Sequence, residues 1–211
     1  MIAERRLPLV AAVAAAAVAA LATPARAGEK SGLSLGARVG YGIPLGDAMS
    51  GVSLADVVSG QVPIEIDALW RFDRHWRLGL YAQYGFATVA GASCPGGASC
   101  SGQNLRAGVQ AAYAFAAGDG SPWIGAGLGL DWQAVKVTAG GVENQLRLFG
   151  LEPLSLQGGW DFRPAGGFSL GPFASFSLGL YQTATSGGAS ESLTNALHGW
   201  IQIGVKGAFD L

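Results

Sequence analysis

At 211 residues the chain has room for one domain, with half its residues hydrophobic and only 13% charged, against about 25% charged in an average soluble domain. A formal net charge of −1 excludes the basic footprint of a nucleic-acid binder, and two cysteines are too few for a structural zinc site. The 34 glycines follow no collagen-like period, and beyond residue 27 there is neither a helical period nor a continuous apolar run of 18 residues.

The first 27 residues read as a secretory signal. Arg5 and Arg6 supply the positive n-region, Leu7 to Ala20 a short apolar core, and Ala25-Arg26-Ala27 a small-x-small cleavage pattern. The apolar run is short of the roughly 20 residues a spanning helix needs, and no cysteine lies near the cut for a lipid anchor. Removing Arg5, Arg6, Arg26 and Glu4 leaves 10 basic against 13 acidic groups, a net of −3. Export implies an oxidising compartment, where Cys94 and Cys100, separated by Pro-Gly-Gly-Ala-Ser, are expected to close a small disulfide.

From Gly28 onward, apolar residues alternate with polar or small ones, the period-2 mark of strands. Leu33, Leu35, Ala37, Val39, Tyr41 and Ile43 form the first apolar face, and Val62, Ile64, Ile66, Ala68, Trp70 and Phe72 the second. Trp76 to Phe86, Leu105 to Phe115, Ile124 to Trp132, Leu154 to Phe162 and Phe168 to Leu180 follow the same rule. The eighth run, Trp200 to Leu211, puts Ile201, Ile203, Val205, Gly207, Phe209 and Leu211 on one face. No apolar-face position carries a charged or amide side chain. That is what lipid demands, because an Arg or Lys facing the bilayer midplane costs about 2–4 kcal/mol.

The connections alternate in length. Residues 73–75, 116–121 and 164–167 are short, whereas 44–60, 88–102, 134–150 and 182–197 are expected to be long loops. Tight turns on one side and long loops on the other put both termini in the periplasm. Two aromatic girdles agree: Trp70, Phe72, Trp76, Tyr113, Phe115, Trp160, Phe162, Phe168 and Phe209 lie near the short turns, and Tyr41, Tyr84, Phe86 and Trp132 near the long loops. Between Lys136 and Leu151 the pattern weakens. Leu146 and Leu148 share the lipid-facing parity of the sixth run, which suggests an earlier start for that strand, while Val135 and Val137 break parity and read as loop.

The stretches GARVGYGIPLGD at 36–47, GPFASFSLG at 171–179 and HGWIQIGVKGAF at 198–209 carry a resemblance that spans residues 28–211. The chain resembles the small outer-membrane β-barrel proteins of Gram-negative bacteria, the OmpA-type and OmpX-type barrels. The expected fold is therefore an all-β, eight-stranded, antiparallel, up-and-down transmembrane β-barrel. The resemblance implies outer-membrane lipid and lipopolysaccharide as surroundings, and a C-terminal strand that the barrel assembly machinery reads, here with its aromatic at Phe209. No cofactor, nucleic acid or wall-binding domain is expected, and the barrel is expected to be a monomer.

An eight-stranded barrel is only wide enough inside to be filled by side chains or to hold a small ligand. The inward positions carry Arg38, Arg71, Arg77, Arg106 and Lys206 against Glu65, Asp67, Asp131, Asp161 and Asp210. Isolated buried charges are costly, so these ten are expected to pair into an internal charge network that plugs the barrel. Arg106 and Asp131 fall on neighbouring strands, as do Arg38 and Glu65 or Asp67. The alternative is a low-conductance pore, favoured by the inward glycines Gly125, Gly127 and Gly129, which equally serve curvature.

An enzyme is the contrasting class. The only histidines are His75, in a periplasmic turn, and His198, opening the last strand beside Trp200, with Ser192 and Glu191 nearby. The His-x-Ser pattern of lipid A deacylases is absent, since Gly199 and Trp200 follow His198, so catalysis is not expected. The long loops, rich in Gly, Ser, Ala and Thr, carry Asp47, Asp56, Lys136, Glu143, Arg147 and Glu191. Loop-mediated surface binding or adhesion is the remaining alternative to a structural, envelope-maintaining role.

Overall fold

A computed structural model describes residues 31–115, 120–165 and 167–211, with the side chains of Ala165 and Asn195 excepted. The expected signal segment 1–27 lies outside the described residues. Nine strands appear in chain order: β1 (Gly32–Met49), β2 (Val52–Ser53), β3 (Val58–Arg71), β4 (Trp76–Val89), β5 (Ser99–Ala114), β6 (Gly120–Ala139), β7 (Val142–Ala165), β8 (Phe168–Ser186) and β9 (Ala189–Asp210). The two-residue β2 pairs only with the end of β1. The other eight pair antiparallel with their neighbours in sequence, and β9 pairs back onto β1 from Ser34↔Asp210 to Gly46↔His198. The Leu211 amide donates to the Leu33 carbonyl at 2.8 Å, so the last strand is paired on both edges.

The apolar faces read from the sequence point outward. Ile66, Leu80 and Ile203 are each about 60% exposed, values that make sense only if a lipid phase covers them. Both girdles are present, with Trp76, Tyr113 and Phe115 packed edge-on at one end and Tyr84 with Phe86 at the other. Trp132 is joined there by Phe149.

Two of the expected long loops are strands. Segment 134–150 belongs to β6 and β7, which turn at Gly140-Gly141, and segment 182–197 belongs to β8 and β9, which turn at Gly187-Gly188. All four glycines have positive φ, the backbone a tight hairpin turn requires. β7 has 24 residues, about 80 Å of strand and about 55 Å along the axis at a tilt near 45°. A hydrocarbon core is only about 30 Å thick, so these hairpins stand clear of it at one end. There the lipid constraint ends and the outward alternation with it.

Parity also shifts inside β7. Its pairing with β8 is irregular between Leu151 and Leu154, and Leu148 points inward with 1% exposure rather than sharing the outward face of Leu156. Val135 is likewise a buried strand residue and not loop. Both join an apolar layer that caps the lumen at the hairpin end, with Ala48, Val58, Tyr181 and Trp200. A short helix, α1 (Leu54–Val57), closes over it. The Ser53 hydroxyl caps α1 by accepting from the Ala55 amide at 3.3 Å, and Leu54 and Val57 turn inward. The Ser93 hydroxyl, in the loop after β4, donates to the Asp56 carbonyl at 2.7 Å and ties the two capping loops together.

Candidate functional site in the barrel lumen

Inward parity delivers polar side chains from every barrel strand into the space beneath that cap. The register places Arg38 opposite Glu65 and Gly36 opposite Asp67. The missing side chain at Gly36 leaves room for the Asp67 carboxylate, whose oxygens would lie 2.5 and 2.6 Å from a Cβ there. The Arg38 guanidinium therefore reaches both acids, at 3.1 Å to Glu65 and 3.3 Å to Asp67. It also donates to Gln157, which in turn donates to Gln110 at 2.6 Å. Beneath it, Trp123 and Phe173 offer ring faces at 5.5 and 5.7 Å, a cation–π platform.

Two further groups lie toward the short-turn end. Arg77 and Lys206 share Asp161, at 3.6 and 3.7 Å, and the Lys206 ammonium sits 4.4 Å from the Trp123 ring centre. Arg71 pairs with Asp210 at 2.6 Å at the half-buried rim.

Toward the cap the pairing differs from the neighbour rule. Arg106 is opposite Asp131 in the β5–β6 register, yet its guanidinium pairs with Glu152 of β7. Tyr81 donates to the same carboxylate at 2.9 Å. Asp131 is held by others. Asn104 donates to its Oδ1 at 2.6 Å, and His198 Nε2 lies 2.9 Å from its Oδ2. The His198 ring stacks on Tyr181 at 3.6 Å between centres and 7° between planes.

His198 thus lies well inside β9, fully buried, rather than opening the last strand. Glu152 is the charged site residue that the sequence does not single out, because it sits at the β7 irregularity; His198 reads from sequence as the opening of the last strand because it directly follows a segment whose composition reads as loop. The other histidine, His75, stays at the short turn after β3, where its Nδ1 lies 2.7 Å from the Ala114 carbonyl and its ring stacks on Tyr113.

The inward glycines lie against side chains of β7, β5 and β4, the first two being their direct register partners. A Cβ on Gly125 would meet the Gln157 side chain at 3.0 Å, one on Gly127 the Cβ of Gln110 at 3.2 Å, and one on Gly129 the Tyr81 hydroxyl at 2.6 Å. Among the described residues, no group of three His, Cys, Asp or Glu side chains is placed to hold a metal ion. Cys94 and Cys100 form a disulfide in the second capping loop.

No protein-family model matches the chain, and no curated protein matches it in sequence. Solved structures do match. Neisserial surface protein A is 16% identical, with a TM-score of 0.57 over 87% of this chain and all of that one. A major outer membrane protein from Thermus thermophilus is 13% identical, with a TM-score of 0.56 over the same share of this chain and all of its own. At these identities the likeness is one of fold: the chain has the fold of the small outer-membrane β-barrels.

Proposed function

We propose that the chain is exported by its first 27 residues and resides in the bacterial outer membrane as a monomeric barrel. Its role there is structural and envelope-maintaining, its lumen is closed, and its C-terminal strand is read by the assembly machinery. The lipid-facing belt supports the location. The closed lumen is carried by one observation: the Arg38 guanidinium of β1 reaches across to Gln157 of β7 while holding Glu65 and Asp67 of β3, over the rings of Trp123 and Phe173. A pore would leave that span open. The ion-paired layer and the apolar cap above it add two barriers in series, since an ion would have to displace paired charges and then cross an apolar layer.

A catalytic role is not part of this reading. The His198 imidazole is engaged by Asp131 and Tyr181 beneath the cap, away from any lipid headgroup. A lipid A mass spectrum that changes on overexpression would contradict that.

A low-conductance pore is the second reading because of Gln61 and Gln133. Both are buried beside the charged layer, and their side-chain amides have no hydrogen-bond partner among the described residues, the polar lining a hydrated path would use. Liposome swelling decides between the two. Vesicles carrying the refolded protein are expected to swell no faster than empty ones in small sugars or glycine. Swelling at a porin-like rate would favour the pore.

A further inference from the structure

Above the hairpin-side girdle, the outer wall of β5, β6 and β7 carries an amphipathic groove that the lumen-based reading leaves unused. The register stacks its lining in rows. The row nearest the membrane is Leu105, Trp132 and Phe149, with Tyr84 beside it on β4. The next row out is Gln103, Ala134 and Arg147, and the row beyond it Ser101, Lys136 and Gln145. Ala134, flanked by far larger side chains, opens a cleft of about 430 Å³ that continues into a second one of about 390 Å³ reaching Lys136.

The floor of the groove is apolar and its upper edge is cationic. The Tyr84 hydroxyl donates to the Gln103 side-chain oxygen at 2.9 Å. Arg147 is exposed and spends one Nη2 hydrogen bond, 2.9 Å, on the neutral amide of Gln145. Lys136 pairs with Glu143 at 2.8 Å, with both side chains about half exposed. An exposed pair of that kind contributes little and exchanges readily for a better anion. Among the described residues, Lys136 and Arg147 are the only cations at the hairpin end outside the lumen, and they sit on adjacent strands.

We propose that this groove binds a phosphorylated glycolipid of the outer leaflet. Acyl chains would lie along Leu105, Trp132 and Phe149, a sugar phosphate would bridge Arg147 and Lys136, and sugar hydroxyls would meet Gln103 and Gln145. A guanidinium beside an ammonium suits a phosphate, which accepts several charge-assisted hydrogen bonds. The apolar row fixes the depth at which that phosphate must sit, level with a headgroup. Amide donors and acceptors on the same edge favour a hydroxyl-rich headgroup over a plain glycerophosphate. The proposal rests on the outer-membrane reading and gives the glycolipid expected around such a barrel a specific site on its wall.

Native mass spectrometry of the refolded full-length barrel titrated with bisphosphorylated lipid A tests it. The parent is expected to bind lipid A well above its dephosphorylated form and above phosphatidylglycerol. The double variant Lys136→Gln/Arg147→Gln is expected to lose about tenfold in affinity. Ala134→Phe, which fills the cleft and keeps both charges, is expected to lose a similar factor. Arg74→Gln, at the opposite end, serves as the charge-loss control and is expected to bind as the parent does. Equal binding by the double variant, or equal binding of dephosphorylated lipid A or phosphatidylglycerol by the parent, would overturn the assignment. Membrane fractionation separates the two levels: absence from the outer membrane removes the location, whereas presence there with unaltered binding in the variants removes only the groove.

Discussion

His198 of β9 and Asp131 of β6 meet at 2.9 Å across the lumen, three strands apart around the wall, with both side chains 1% exposed. A contact of this kind ties two walls that the hydrogen-bond ladder joins only through the strands between them. Tyr181 stacked on the imidazole, and Asn104 on the other carboxylate oxygen, hold the two groups in place. His198→Ala strands a buried carboxylate and removes the stack, and is expected to destabilise the barrel by about 3 kcal/mol. Urea unfolding in lipid vesicles, followed by tryptophan fluorescence, reads the shift. An unchanged midpoint would mean that the strut contributes nothing.

Gly129 offers a test of lumen filling. Its Cβ position lies 2.5 Å from the Ala107 carbonyl oxygen and 2.6 Å from the Tyr81 hydroxyl. Gly129→Ala is therefore expected to push Tyr81 off Glu152 and to cost about 1–3 kcal/mol as an overpacked site. The Ala107 contact lies in the wall and costs in either case, so the same substitution in a Tyr81→Phe background isolates the lumen: a filled lumen predicts a smaller loss there, and an equal loss in both backgrounds would contradict it.

The short turn after β3 has its own pH dependence. One oxygen of Asp73 accepts from the backbone amides of His75 and Trp76, both at 2.7 Å. The Trp76 amide first, and the His75 amide second, hold the carboxyl below its ordinary value. A carboxyl depressed in the folded state contributes stability that is complete above its unfolded value, near 3.9, and is lost as pH falls through the lower folded value. Asp73→Asn is expected to flatten that acid limb and to cost about 1 kcal/mol at pH 7. Unfolding midpoints measured from pH 2 to pH 7 would show both effects. An acid limb identical to the parent's would assign the dependence to other carboxylates.

Cys94 and Cys100 close a loop six residues apart in sequence. A loop that short constrains the unfolded chain modestly, by about 2 kcal/mol in the chain-entropy picture. The intact protein is expected to take up no maleimide until reduced. The Cys94→Ser/Cys100→Ser variant is expected to fold with a slightly lower midpoint. Labelling without reductant would show the thiols to be free.

The sequence made the membrane belt legible because lipid imposes a strict rule on every outward position, from Leu33 to Phe209. It lost the hairpins 134–150 and 182–197 because that rule stops where lipid stops. There the strands need only pair, and Thr138, Gln145 or Ser190 can face outward in water. The paired glycines at 140–141 and 187–188 were the remaining signal, a Gly-Gly turn between strand-forming runs. Partners within the lumen were legible where they sit on adjacent strands, as for Arg38 with Glu65 and Asp67. They were not legible across the lumen. Arg106 chose Glu152 over its wall neighbour Asp131, and Glu152 itself was hidden by the irregular pairing of β7 beside Pro153.

Planar-bilayer recording of the refolded protein tests the closed lumen most directly. The unmodified barrel is predicted to insert without resolved conductance steps. Arg38→Ala, which removes the guanidinium shared by Glu65, Asp67 and Gln157, is predicted to produce small discrete steps. Steady, porin-sized conductance from the unmodified protein would contradict the account.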